Sequence, residues 1–215
     1  MKTLWTEQGR ADAARAHRYI LKPEDTLLLA IDVQEWLFAK METFSSKAFC
    51  GNVRIMARIS RALHLPSMVS EHFPERFGTT IGELDDLLTD ARKITKLSGS
   101  CWREGQIRAG IKASDRKTVL VVGMEAHLAV LRTVMDLLQT GYNPVVIADA
   151  VCSRTAALTE TALNAMALAG AVVYPAETAA CMLLDGTDPE LLDEIMSLSY
   201  GALPPLPSTR KAMNR

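Results

Sequence analysis

Three strand-like runs of this 215-residue chain lead into residues able to hold or move a proton. Leu27–Asp32 ends on an aspartate, Lys93–Lys96 ends on a lysine, and Thr118–Val122 runs through Gly123 to Glu125 and His127. Taken singly, Asp32 is an ordinary strand-end carboxylate and Lys96 a surface lysine. Placed at one end of a common sheet beside residues 123–130, they read instead as the working groups of a site, a carboxyl and an ammonium that together can manage a proton. The other reactive side chains show no pattern. Cys50, Cys101, Cys152 and Cys181 have neither C-x-x-C spacing nor the density of a disulfide scaffold, and read as reduced thiols. His17, His64, His72 and His127 are scattered, so no metal site is expected.

The elements that must position these groups follow from hydrophobic periodicity. Thr118–Val122 is a short Val-rich run that suits a strand buried on both faces, with Gly123 expected to end it. From Ala126 to Thr140 the residues Leu128, Val130, Leu131, Val134, Leu137 and Leu138 recur at three- and four-residue steps, and Gly141 supplies a helix stop. Pro144–Asp149 is a further buried strand, which makes a βαβ unit with parallel pairing. Strands are also predicted at Leu27–Asp32, Ser67–Ser70, Lys93–Lys96 and Val172–Tyr174, with helices such as Val53–Leu63 and Glu160–Ala169 between them. The alternation predicts an α/β fold, a three-layer αβα sandwich around a six-stranded, mostly parallel, doubly wound sheet. Ligands of such sheets sit beyond the carboxyl ends of the strands, where residues 123–129 fall.

One domain is expected over residues 23–200, preceded by an extension over 1–22 and followed by a Pro-rich arm over 201–215 whose Leu203 and Leu206 suit packing on another subunit. A homo-oligomer, dimer or tetramer, is therefore predicted. The net charge of -1 and 23% charged residues suggest no nucleic-acid partner, and no apolar run is long enough for a membrane span. Met1–His17 lacks the apolar core of a secretory signal, so a cytoplasmic protein is expected.

The segment Gly123-Met124-Glu125-Ala126-His127-Leu128-Ala129-Val130 resembles the signature of the isochorismatase-like hydrolase superfamily, and more closely that of its small isochorismatase-domain-containing branch. That pattern carries a cysteine at the seventh position, where this chain has Ala129. Further stretches are similar to the family in the same order. They are Leu27–Glu35 with Asp32 and Gln34, Ser70-Glu71-His72-Phe73-Pro74 with Gly78-Thr79-Thr80, and Lys96 followed by Ser98, Ser100 and Trp102.

In cysteine-containing members, the resemblance implies, the aspartate exchanges a proton with the thiol and the leaving group. The lysine holds the aspartate, and the cysteine attacks a carbonyl. Asp32 and Lys96 then take the first two roles, and the backbone around Met124, Glu125 and Ala129 forms the oxyanion site beside a cis peptide at Met124–Glu125. Gln34, Phe73, Trp102 and His127 are the candidate substrate contacts, His127 either facing the cleft mouth or capping the helix start. Asp149 and Arg154 are expected to hold the loop after the fifth strand. Related nicotinamidases bind a metal through Asp-x-His, whereas the matching stretch here is Ser70-Glu71-His72, so neither metal nor cofactor is implied.

Ala129 decides the expected activity. An alanine methyl attacks nothing, and loss of a nucleophile costs about a millionfold in turnover in a serine protease. One reading is a small-molecule hydrolase of this family without thiol-dependent activity, the alanine being natural or engineered. A second is a nucleophile-free hydrolase that cleaves a vinyl ether by protonation from Asp32, as isochorismatases with a small residue at this position do. A third is a non-catalytic binding or scaffold protein that keeps the pocket. Substitution by Cys101 is disfavoured because, unlike residue 129, it has no helix N-terminus to lower a thiol pKa.

Overall fold

The computed structural model describes residues 18–41, 43–185 and 188–200, with the side chains of 43–47 and 198–200 left aside. Six strands form one sheet: β1 (Thr26–Ile31), β2 (Ser67–His72), β3 (Arg92–Lys96), β4 (Thr118–Met124), β5 (Asn143–Cys152) and β6 (Val172–Tyr174). Nine α-helices connect or follow them among the described residues. These are α1 (Glu35–Phe38), α2 (Thr43–Ala62), α3 (Pro74–Phe77), α4 (Gly82–Leu87), α5 (Gly105–Ala113), α6 (Leu131–Gln139), α7 (Ala156–Leu168), α8 (Ala176–Leu184) and α9 (Pro189–Tyr200).

The strand order is β3-β2-β1-β4-β5-β6. Every pairing is parallel, so the sheet is wholly parallel where a mostly parallel one was expected. The chain winds outward from β1 through β2 to β3, then returns to the other side of β1 with β4. That reversal opens a crevice between the carboxyl ends of β1 and β4, the usual ligand position of doubly wound folds.

Parallel strands covered on both faces must be apolar throughout, and β1 is buried at all six positions. Leu28 and Ala30 face one core with Phe49, Val53 and Met56 of α2 and Ala179, Leu183 of α8. Leu27, Leu29 and Ile31 face the other, with Ile107 and Ile111 of α5, Val134 and Leu137 of α6, and Ala162 and Met166 of α7. Truncating one such leucine to alanine costs about 2–5 kcal/mol.

Gly123 does not end β4 as predicted. The strand continues to Met124, and Gly123 has φ 123° opposite Ile31 of β1. A Cβ there would lie 2.0 Å from the Ile31 carbonyl oxygen, so glycine allows β1 and β4 to approach at the crevice. The register between β4 and β5 also shifts there, between Val121 and Gly123.

Residues 18–22 of the expected extension are already docked on the sheet edge. Leu21 is buried, Asn143 Nδ2 donates to the Arg18 carbonyl at 2.8 Å, and the Tyr174 hydroxyl donates to the Tyr19 carbonyl at 2.9 Å. Residues 1–17 and the arm 201–215, with Leu203 and Leu206, lie outside the described residues. Among the described residues no helix is long and apolar enough to cross a membrane.

Candidate active site

Asp32 follows β1 directly, with its backbone in the left-handed region at φ 51°, a conformation aspartate tolerates better than most residues. Its N–H donates to the Ser70 carbonyl of β2 at 3.0 Å, which ties the turn to the neighbouring strand. Lys96 closes β3 in register with His72 of β2. Although β2 lies between their strands, the lysine stem is long enough to reach across it. Lys96 Nζ stands 2.7 Å from Asp32 Oδ2, with the two side chains 0% and 3% exposed. The Ser70 hydroxyl donates to Asp32 Oδ1 at 2.6 Å, and Lys96 Nζ donates to the Ser98 carbonyl at 3.1 Å.

Burial pushes the Asp32 carboxyl above its ordinary value, and the Lys96 ammonium and the Ser70 hydroxyl pull back without cancelling it. A buried carboxyl held this way is placed to take up a proton and to give one back.

Asp32 and Lys96 form the floor of a cleft of about 880 Å³. Met124, Glu125, His127 and Ala129 line it beside them, so the structure brings together residues from the first, third and fourth strand ends. The Met124–Glu125 peptide is cis. Ala129 is buried at 8% exposure, and its carbonyl accepts from Thr133 Oγ1 at 2.7 Å, which itself accepts from the Cys101 N–H at 2.9 Å.

Residues 126–130 form a π-turn ahead of α6, with the Val130 N–H reaching five residues back to the Glu125 carbonyl at 3.3 Å. One extra residue in a helical turn rotates the rest of the helix about its axis, and such turns recur at functional sites. Val130, Val134 and Leu137 are buried as the periodicity predicts, but Leu128 is 54% exposed and lines the cleft. The cleft-facing row is Leu128, Leu131, Arg132, Met135, Asp136 and Gln139, again at steps of one to four residues. Sequence periodicity marks the core face of this helix. The mixed charged and apolar row beside it carries no comparable signal.

Glu125 lines the cleft directly after β4. Arg154 Nε donates to Glu125 Oε2 at 3.0 Å, and an Arg154 Nη2–H donates to His127 Nε2 at 3.4 Å. An arginine only donates, so the His127 ring proton is on Nδ1, which meets Ser153 Oγ at 2.9 Å. His127 thus both lines the cleft and is anchored at the helix start. Arg154 ties the loop after β5 to Glu125 and His127, whereas Asp149, expected in that loop, lies within β5 and accepts from the Ala176 N–H at the start of α8 at 2.8 Å.

Three expected substrate contacts lie elsewhere. Gln34 is fully buried and its amide is spent on backbone: Oε1 accepts from the His72 N–H at 2.7 Å, and Nε2 donates to the His72 carbonyl at 3.1 Å and the Gly78 carbonyl at 2.6 Å. It positions the β2–α3 loop and does not line the cleft. Phe73 turns away with φ 41°, its ring edge-on to His72, and Trp102 packs 5.1 Å from Tyr142 behind α6. The cleft aromatics are instead Trp36 and Phe77, 5.4 Å apart, which no motif marked. Arg103 and Arg132 also line the wall, both directed at Asp136, at 2.9 and 3.9 Å. Burial pushes Asp136 up, but the hydrogen bond and charge of Arg103, with Arg132, bring it below the usual carboxylate value.

His72 also lines the cleft, a residue the motif contained without marking it for this role. Cys101 is fully buried behind Asp32 with its thiol donating to Ser70 Oγ at 3.4 Å. Burial, then the Asp32 charge, push that thiol up to about 11, which keeps it protonated and unreactive at neutral pH. Among the described residues no three His, Cys, Asp or Glu side chains stand close enough to hold a metal ion.

The family model described as "Isochorismatase domain" matches residues 26–178 of the chain. A "Secreted isochorismatase effector Isc1" of Phytophthora sojae is 30% identical over 175 residues, covering 79% of this chain and 82% of that protein. The structure of a "MAR1 Ribonuclease" from Caenorhabditis elegans superposes with a TM-score of 0.76 at 27% identity, over 89% of this chain and 99% of that one. The YcaC gene product from Escherichia coli, described as an octameric hydrolase of unknown specificity, superposes with a TM-score of 0.77 at 21% identity, over 83% and 89% of the two chains. At that identity the last likeness shows the fold.

Proposed function

The chain belongs to the isochorismatase domain family, and on that premise we propose that its cleft hydrolyses a small molecule with Asp32 as proton donor and without a covalent enzyme intermediate. One observation carries this reading. The carboxyl group of Asp32 lies buried on the cleft floor, gripped by Lys96 at 2.7 Å and Ser70 at 2.6 Å, while the residue lining the cleft at position 129 is an alanine. Family chemistry through a thiol needs a sulfur at that position, and a methyl supplies none. Acid-assisted hydrolysis needs only what the chain has, a carboxyl that can deliver a proton while Lys96 steadies the carboxylate left behind.

For a vinyl ether, Asp32 adds its proton to the terminal alkene carbon, water adds to the cation so formed and gives one proton back to the Asp32 carboxylate, and the neutral hemiketal collapses to a ketone and an alcohol. The Phytophthora relative bears the isochorismatase name, which makes such a vinyl ether the first substrate to try. The apolar part of a substrate finds Trp36, Leu37, Phe77, Leu128 and Met135 along the walls.

The test compares the native chain, Asp32→Asn and Ala129→Cys on isochorismate and on a panel of amides and esters. Expected are vinyl ether turnover by the native chain that drops at least about 100-fold in Asp32→Asn, and thiol-dependent turnover only in Ala129→Cys. Iodoacetamide-sensitive hydrolysis by the native chain would refute the reading and point to another thiol.

We also propose that copies of the chain assemble with one another. The octameric description of the E. coli structure and the exposure of Trp36 and Leu128 on the cleft rim support this. Light scattering that finds a strict monomer at micromolar concentration would refute it.

A further inference from the structure

Two imidazoles line the cleft, and only one has a nitrogen without a partner among the described residues. His127 is spent on both sides, on Ser153 through Nδ1 and on Arg154 through Nε2. His72 is held on one side alone. Its Nδ1 lies 3.2 Å from the Lys96 carbonyl oxygen, which can only accept, so the ring proton is on Nδ1 and Nε2 carries a lone pair. The ring is fixed from three directions. Phe73 meets it edge-on at 4.6 Å, Phe77 stacks on it at 5.9 Å, and its backbone is clamped by the Gln34 amide at both N–H and carbonyl. Burial, then the Lys96 ammonium, hold the imidazole below its ordinary value of 6.5, so the lone pair is available at neutral pH.

We propose that His72 is a catalytic residue of this cleft, a general base whose Nε2 takes the proton of the attacking water. The inference rests on the hydrolytic reading above and adds to it a second proton-handling group, distinct from Asp32. A part-buried base in the same cleft as a buried acid is the arrangement that lets one site both activate water and assist the leaving group.

For an ester the step balances with the groups present. As the water oxygen bonds to the carbonyl carbon, its proton passes to His72 Nε2 and the carbonyl π pair moves onto oxygen. When the tetrahedral adduct collapses, the bond to the leaving oxygen breaks. That oxygen takes the proton from the imidazolium, which returns His72 to its neutral form. A thiol at position 129 would make the first attack itself and leave only its thioester for water to cleave, so His72 should matter in the native chain and matter far less for release of the first leaving group once residue 129 is cysteine.

The experiment follows p-nitrophenyl acetate hydrolysis by the full chain and by His72→Gln, each with Ala129 and with Ala129→Cys. Expected are acceleration over buffer by the native chain, a loss of about 100-fold in His72→Gln, and a loss below about 3-fold in the rate of the nitrophenolate burst when the same change is made beside Cys at 129. Added imidazole should restore turnover to His72→Gly in the Ala129 background. Equal losses in both backgrounds would show a structural role and overturn the proposal, as would native turnover no faster than that of His72→Gln. Ring ¹⁵N chemical shifts provide a reading independent of turnover and of variant folding, and a proton on His72 Nε2 in the native chain at neutral pH would also overturn it. The vinyl ether assay of Asp32→Asn is separate, so failure of Asp32 as donor and failure of His72 as base give different results.

Discussion

The cleft holds two carboxylate–cation pairs at strand ends, and they are built on opposite principles. Asp32 and Lys96 have side chains 3% and 0% exposed, whereas Glu125 and Arg154 are 10% and 54% exposed. In the first pair neither charge has water to fall back on, so each depends on the other and on Ser70. In the second, only the carboxylate is enclosed, and the guanidinium that faces it is solvated. The floor of the site is therefore energetically committed, while its wall is adjustable. Chemistry and substrate fit can then vary separately.

The sharpest way to break this comparison is to remove Lys96. Lys96→Met leaves the Asp32 charge buried and unpaired, which is expected to cost about 3–5 kcal/mol at neutral pH by denaturant unfolding. Acid should relieve part of that loss, since Asp32 then carries a proton. A cost below about 1 kcal/mol would mean the pair is not the committed element inferred here. Ser70→Ala is the next test. It strands Asp32 Oδ1 and the Cys101 thiol together, for an expected loss of about 2 kcal/mol. At the half-solvated pair, Arg154→Ala should cost about 1–3 kcal/mol in stability, less than Lys96→Met, because the guanidinium is exposed but the Glu125 carboxylate it leaves has little access to water. A larger loss would place that pair among the committed ones.

The smallest effect concerns pH, and its sign is fixed by His72. Its folded value lies below 6.5, so in the window under 6.5 the unfolded chain binds the proton more readily than the folded one. This group's contribution to stability therefore falls as pH drops through that window and is restored as pH rises toward 6.5. Unfolding of the native chain and His72→Gln measured across that window should show the native chain losing more on acidification. An identical pH dependence would remove His72 from the buried groups of the site.

Much of this architecture is legible in the sequence because of how parallel sheets bury their strands. Leu27–Ile31 and Val119–Val122 are covered on both faces, and such strands read as unbroken apolar runs. Where burial is mixed, the reading stops short. β5 continues through Ala148, Asp149 and Ala150 to Cys152, a stretch whose polar residue and small side chains conceal a strand, and the one-turn helices α1 and α3 are too short for periodicity to register.

The site divides the same way. Asp32, Lys96, Glu125, His127 and Ala129 are marked by the resemblance of their segments to the family's motifs, and each stands at or shortly after a strand end. Gln34, Phe73 and Trp102 lie close by in sequence yet take other tasks, because loop geometry decides where a side chain points and no periodic signal encodes it. His72 was in plain view within a motif. What marks it is the Lys96 carbonyl at its Nδ1, a contact between strands that only the fold creates.

The π-turn at residues 126–130 gives the wall a kind of gearing. Each residue of a helix advances the next by roughly 100° about its axis. Deleting one residue from this turn would either realign residues 126–130 against the cleft or swing the side chains of α6 by about that angle, which would draw the buried Val134 and Leu137 out of the core along with the cleft row of Leu131, Arg132 and Met135. Asp32 and Lys96, on strands that take no part in the rotation, would stay where they are. A one-codon change thus redraws what the cleft can grip while its proton-handling floor keeps its place.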